Sequence, residues 1–319
     1  PLFGFGPENF SLAYDLYKPI SINNTVFWST RFTEPTSEIF NALISGGVVY
    51  FAAFLFLIFT AFRLAIRNRD LAPLLVTFFA AWLLYPFNML LGFGFWLLLG
   101  VLALAGSKKS DEIILSLEQS PQRSILSTVS FVAILVLAAA GFYFAVSRYS
   151  ADLKFAKAAR AADIDSSTRL AVSAVNLNGN EDIYSRALAG LLISRINNEL
   201  RVLNQSRNAE ERQAATSRIQ NFAATAVNLG SEITKKHPAD SANWLSRALI
   251  YQNLINVVSD ADQWAIDTFD QYAVLAPKDP VPHLRKGDIY LLRADFLLGL
   301  GQKEARSQII ENLKSAEES

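Results

Sequence analysis

Cysteine is absent from the 319 residues, which excludes disulfides, iron–sulfur clusters and thiolate-ligated metal sites. Histidine occurs twice, at His237 and His283, and no set of converging nitrogen and oxygen ligands accompanies either. Neither sign of charge is in excess: 29 Lys and Arg balance 29 Asp and Glu, so the basic footprint of a nucleic-acid-binding domain is missing. Also missing are G-x-x-x-x-G-K-[ST], G-x-S-x-G, H-E-x-x-H and the dinucleotide-binding fingerprint. With them go the commonest nucleotide, hydrolase and zinc-protease chemistries. No metal, cofactor or nucleic-acid partner is expected. The chain opens on Pro1, not Met, and lacks a basic segment followed by an apolar run and a cleavage site. This predicts a piece of a longer protein with further membrane spans upstream.

What is present is apolar sequence, unevenly distributed. Hydrophobic residues make up 51% of the chain and charged residues 18%, and the apolar ones crowd into residues 40–146. Residues 40–62 carry no charge and are long enough to cross a hydrocarbon core of about 30 Å. Residues 71–105 are also uncharged and too long for one crossing. Pro86-Phe87-Asn88 divides them into a hairpin, either two short spans or a re-entrant pair. A fourth run occupies 125–146, between Arg123 and Arg148. About four transmembrane helices are therefore expected over 40–146, preceded by a loop over 1–39 and followed by a soluble domain over 147–319. No ionisable residue lies within the four runs, which excludes a proton relay or ion-coupled transport by this segment alone. Arg63, Arg67, Arg69, Lys108, Lys109 and Arg123 slightly outnumber the basic residues near the opposite ends. The positive-inside rule thus leans toward a cytoplasmic 63–70 and 107–124, with both the loop and the soluble domain outside.

Before the first run stands GFGPENF, at positions 4–10, and later RFTEPTSEIFNALISGGVVYF, from Arg31 to Phe51. Read physically, Gly4 and Gly6 make a turn before a helix that opens at Pro7-Glu8. Phe27, Trp28 and Phe32 form an interfacial aromatic belt, Lys18 and Arg31 meet headgroups, and Gly46-Gly47 admits a close neighbouring helix. Together the two segments, over about residues 2–106, resemble the O-antigen ligase/polymerase superfamily. That resemblance implies a bacterial cytoplasmic-membrane protein that transfers a glycan from an undecaprenyl-diphosphate carrier without a metal. It implies that Arg31 binds the diphosphate, with Lys18 and Trp28 as further substrate contacts. Where relatives carry a histidine that takes the acceptor's proton, this chain has Thr36 or Ser37. Neither hydroxyl is a base near neutral pH, which leaves Glu34 and Glu38 as the candidate carboxylates. A chain that has lost catalysis and serves as a membrane-anchored scaffold is the alternative.

Residues 147–319 show helical periodicity nearly throughout. The fourth run is expected to continue as one helix to the stop at 176–180, followed by helices over 182–204 and 209–236. Trp244, Ala248 and Tyr251, then Ala265, Phe269 and Pro277, fall at repeat-like spacings, and His283, Gly287 and Tyr290, then Ala305 and Ile309, follow. This resembles the tetratricopeptide pattern with lengthened intervals inside each unit. It implies two to three helix pairs whose Trp244, Tyr251 and Tyr290 meet a protein partner, and His283 is expected in the core or an interface. The fold class read from the sequence is all-α: a helical membrane region followed by a tetratricopeptide-like domain.

Overall fold

The computed structural model describes residues 2–67, 70–86, 88–106, 121–299 and 306–318. Arg69, Phe87, Lys108, Lys109 and Ala305, all used above, lie outside the described residues. Among the described residues the chain is helical with no strand. It divides into an N-terminal unit built on Pro1–Leu115 and a C-terminal unit built on Ser116–Ala276 and Pro280–Ser319.

In the N-terminal unit, α1 (Phe10–Tyr17) and a short 3-10 helix (Ile20–Asn24) precede α2 (Glu38–Arg67), α3 (Ala72–Leu84) and α4 (Met89–Gly106). Helix α1 starts at Phe10, later than Pro7-Glu8 suggested, because the turn takes Gly6 and Glu8 to φ of 92° and 63°. A positive φ cannot continue into a right-handed helix. Helix α2 is long and apolar enough to cross a membrane. It is broken once, at Gly47, where φ is 70° and ψ −171°.

Helices α3 and α4 are shorter than a typical span. The 13 residues of α3 reach about 20 Å. The divide at Pro86 thus gives unequal arms, because α3 begins only at Ala72, with Pro73 in its first turn, and stops at Leu84. Aromatic rings knit the three long helices together. Trp82 of α3 meets Phe54 of α2 at 5.4 Å and Phe95 of α4 at 4.2 Å between centroids. Leu75, Phe95 and Leu102 are fully enclosed in this cluster.

The C-terminal unit begins with α5 (Pro121–Ala159), 39 residues long. Its apolar stretch is the second candidate span, and none of that window is buried inside the protein. The helix does not run on to 176, as periodicity suggested. It stops at Ala159, and α6 (Ile164–Leu177) folds back onto it. The cause is Asp163, whose Oδ1 accepts from the Ser166 amide at 2.7 Å and caps the new helix. That hydrogen bond, foremost, holds the Asp163 carboxyl below its usual range.

Helices α7 (Asp182–Gln205) and α8 (Ala209–Lys236) pack antiparallel, with the boundaries the sequence predicted. The pairs α9 (Ser241–Asn253) with α10 (Ala261–Leu275), and α11 (Val281–Gly299) with α12 (Arg306–Glu318), follow. The lengthened interval of the first unit is a turn over 254–260 that uses positive φ at Asn256 and Asp260. Ala248, Ala265 and Phe269 lie together in the core, as their spacing implied. His283 is exposed on the first turn of α11, which rules out the core position among the two expected for it.

A polar knot ties the pairs together. The Asp182 carboxylate at the start of α7 accepts from Asn243 Nδ2 at 2.6 Å and meets His237 Nδ1 at 2.6 Å. Asn243 Oδ1 accepts from Arg186 at 2.6 Å, and Asp240 caps α9 through the Ala242 amide. At Pro238-Ala239-Asp240 the proline thus follows the end of α8 and the aspartate caps α9.

Candidate functional site

The break at Gly47 organises the N-terminal unit. An α-helix leaves four carbonyls and four amides unpaired wherever it is interrupted, and these must find other partners. Here they find residues 2–6. The Phe5 amide donates to Ile44 O at 3.0 Å and the Gly6 amide to Ser45 O at 2.8 Å, while the Val49 amide reaches Leu2 O at 3.4 Å. The fit requires glycine on both sides. A Cβ on Gly47 would stand 2.5 Å from Gly4 N and from Leu2 O, and a Cβ on Gly4 would stand 2.4 Å from Ile44 O. The G-F-G and G-G motifs are thus two halves of one junction. Gly47 admits an extended strap here, in place of the neighbouring helix the sequence suggested.

From the strap the chain turns through α1, where the second half of the site begins. Asp15, buried in α1, receives the Arg31 guanidinium edge-on, with Nε at 2.9 and 3.1 Å and Nη2 at 2.7 Å. The Arg31 side chain retains 26% of its exposure and that of Asp15 only 8%. An edge-on pair of this kind fixes the plane of the guanidinium as well as its position. Tyr14 OH donates to Thr30 O at 3.3 Å, and burial, with the charge of Asp15, pushes its phenol above the ordinary value. Lys18 is buried, with its ammonium on Trp28 O at 2.5 Å, so it secures the loop from inside and is not presented at the surface. The Trp28 indole is exposed at the edge of the same loop.

The segment after Arg31 closes against the hairpin. Ser37 is buried and donates from Oγ to Trp82 O at 3.1 Å, and the Glu38 amide donates to Tyr85 O at 3.1 Å. Both acceptors are at the C-terminus of α3, where carbonyls lack intrahelical donors. Ser37 therefore serves as a cap for a neighbouring helix, and Thr36 beside it is exposed. The Glu38 carboxylate accepts from Asn41 at 3.1 Å, and Asn41 Oδ1 in turn accepts from Ser45. Glu34 is exposed.

The structure thus brings Arg31, Lys18 and Trp28 into one loop and sets Glu34 at its surface. It adds Asp15 and Tyr14, which sequence reasoning missed. The available signal was Asp15 itself, a lone acid in the otherwise uncharged helix FSLAYDLY. Among the described residues no group of three or more His, Asp or Glu converges as a metal site would.

On the C-terminal unit, Trp244 is half-buried and donates from its indole to Pro238 O at 2.8 Å. Arg247 stacks over Trp244 and Tyr251 and hydrogen-bonds the Tyr251 hydroxyl. Tyr251 is 6% exposed and belongs to the core. Tyr290, on α11, is half-buried with Arg293 over its ring. Tyr251 and Tyr290 pack in the same core cluster, and Arg247 bridges Trp244 to Tyr251. A groove of about 430 Å³ lies between α7 and α9, lined by Gly190, Ile193, Leu245 and Leu249. No protein-family model, curated protein or solved structure matches the chain.

Proposed function

We propose that the chain is the C-terminal part of a metal-independent glycan transferase resembling the O-antigen ligases, acting on an undecaprenyl-diphosphate-linked donor. In this reading it is a multi-pass protein of the bacterial cytoplasmic membrane, crossing four times through α2, the α3–α4 hairpin and α5. Its tetratricopeptide-like helix pairs are then extracytoplasmic. The observation that carries the reading is the junction at Gly47. The two motifs behind the resemblance pair with each other through their backbones, and the loop they anchor presents Arg31 in a fixed plane. Support for the crossings comes from the lengths of α2 and α5 and from the bonds of Ser37 and Glu38 to the end of α3. Those bonds put the hairpin turn at the end of the unit where α2 begins.

The guanidinium of Arg31, oriented by Asp15, is assigned to the carrier diphosphate, where a planar fork matches two phosphate oxygens and the charge that grows as the glycan leaves. Glu34 is assigned to the acceptor's proton. Arg31→Ala in the full-length parent is expected to lower lipid-linked glycan transfer about 100-fold or more. Unchanged transfer would overturn the assignment.

One observation favours a second reading, a catalytically silent scaffold that recruits an envelope protein. Of Thr36 and Ser37, which stand where relatives carry histidine, Ser37 is occupied in capping α3, and the α7–α9 groove offers a surface for a partner helix. Photo-crosslinkers at Ile193 and Leu249 discriminate the two. The scaffold requires one stoichiometric adduct shared by both positions and absent from Val274, whereas the enzyme requires none.

A further inference from the structure

We propose that residues 2–32 form a collar lying in the membrane–water interface, with the break at Gly47 marking the depth at which α2 enters the hydrocarbon. This rests on the spanning reading of α2 given above and adds the register and the lipid-facing surface.

The argument starts from length. Beyond Gly47, α2 continues to Arg67, about 20 residues or about 30 Å, which matches the thickness of a hydrocarbon core. If the membrane began at residue 40, the break would lie about 10 Å inside it. Non-helical backbone at that depth is tolerated only where protein covers it. Among the described residues nothing lies over the outer side of the strap: Phe3 is 76% exposed and Leu2 68%. Its polar backbone and apolar side chains suit the headgroup boundary, where both find partners. In this register Arg63 lies in the last turn but one, within snorkelling reach of the opposite surface.

Exposed apolar side chains extend from α2 onto the strap and the loop, joined by the half-buried rings of Phe5 and Tyr14. Leu2 sits on Val49, whose neighbours Val48 and Tyr50 are also exposed on α2. Phe5 reaches Tyr17 ring to ring at 6.2 Å, and Tyr17 and Ile20 are exposed beyond it. Tyr14, Phe32 and Phe27 form the next chain of rings, ending beside Val26, which is 85% exposed. Such a run of exposed large side chains exceeds what a water-facing loop carries. The partner that fits a surface continuous with a lipid-facing helix is the bilayer, and Tyr, Trp and Phe are the residues that settle at its edge.

The chain has no cysteine, so single labels are unambiguous. Nitroxides at Phe3→Cys, Val26→Cys, Phe56→Cys and Val274→Cys are compared after reconstitution of the whole chain into vesicles of phosphatidylcholine and phosphatidylglycerol. Phe56 is exposed on α2 beyond the break, and Val274 is exposed on α10. The ratio of oxygen to nickel-chelate accessibility is expected to be highest at Phe56 and lowest at Val274. Phe3 and Val26 should fall between, each several-fold above Val274. Phe3 and Val26 matching Val274 while Phe56 reads deep would overturn the collar and leave the spanning helix. Phe3 as deep as Phe56 would overturn the register. An aqueous reading at Phe56 would overturn the spanning helix, and the collar with it.

Discussion

Arg31 and Asp15 illustrate how much one contact decides. The guanidinium uses two nitrogens on a single carboxylate, so Arg31→Lys keeps the charge but loses the plane. Asp15→Asn is expected to cost about 1–2 kcal/mol, less than a fully buried pair because Arg31 is a quarter exposed. Thermal melts of the two variants in detergent check this. The same substitution should lower the Tyr14 pKa, since Asp15's charge, after burial, raises it. Ultraviolet titration of the tyrosinates reads that change. Tyr184 gives a pH dependence of stability. Burial, then the hydrogen bond and charge of Asp152, raise its pKa. The folded state therefore prefers the neutral phenol. Its contribution is complete below about pH 10, the unfolded value, and is lost as pH rises toward and through the folded value. Tyr184→Phe should cost about 1 kcal/mol at neutral pH and flatten the alkaline decline, measured as urea midpoints at neutral and alkaline pH.

Among the elements, the break in α2 and the strap across it stand or fall together. Gly47→Ala would place a Cβ against Gly4 and force a left-handed backbone on an L-residue, costing at least about 1–2 kcal/mol. Amide exchange at Phe5 and Gly6 should rise many-fold in this variant, and exchange unchanged from wild type would contradict the pairing. In the other unit, Asp163→Ala should accelerate exchange in the first turn of α6 without disturbing α7 and α8. These two elements also delimit what the sequence discloses. Helices α7 and α8 were legible to within a residue, because Asn208 as an N-cap and His237-Pro238 as a stop are local signals. The end of α5 was not, since ADIDSS continues the helical pattern and Asp163 declares itself a cap only when α6 folds back. Arg31 was legible as the loop's cation, while its partner lies sixteen residues away, beyond any local pattern. The two glycine motifs were visible separately, and only the fold joins them.

Across the whole molecule, the four-crossing reading requires the N-terminal loop and the helix pairs to share a side. In sealed, oriented vesicles an impermeant maleimide should label Glu34→Cys and Val274→Cys from the same face, and opposite labelling would require an odd number of crossings. The C-terminal unit draws its stability from its own core, in which Phe269 is fully enclosed. Phe269→Ala should cost about 3–5 kcal/mol there by denaturant titration. In the N-terminal unit, Ser37 and Glu38 supply donors to the last carbonyls of α3, and Arg31 lies a few residues before them on the same strand of chain. Lifting that segment strips the helix of its terminal partners, and tilting the hairpin drags the segment with it. In the proposed reading, a ligand on Arg31 that binds one position of the hairpin more tightly would shift the hairpin toward it, and linkage requires a lipid favouring that position to tighten the ligand equally.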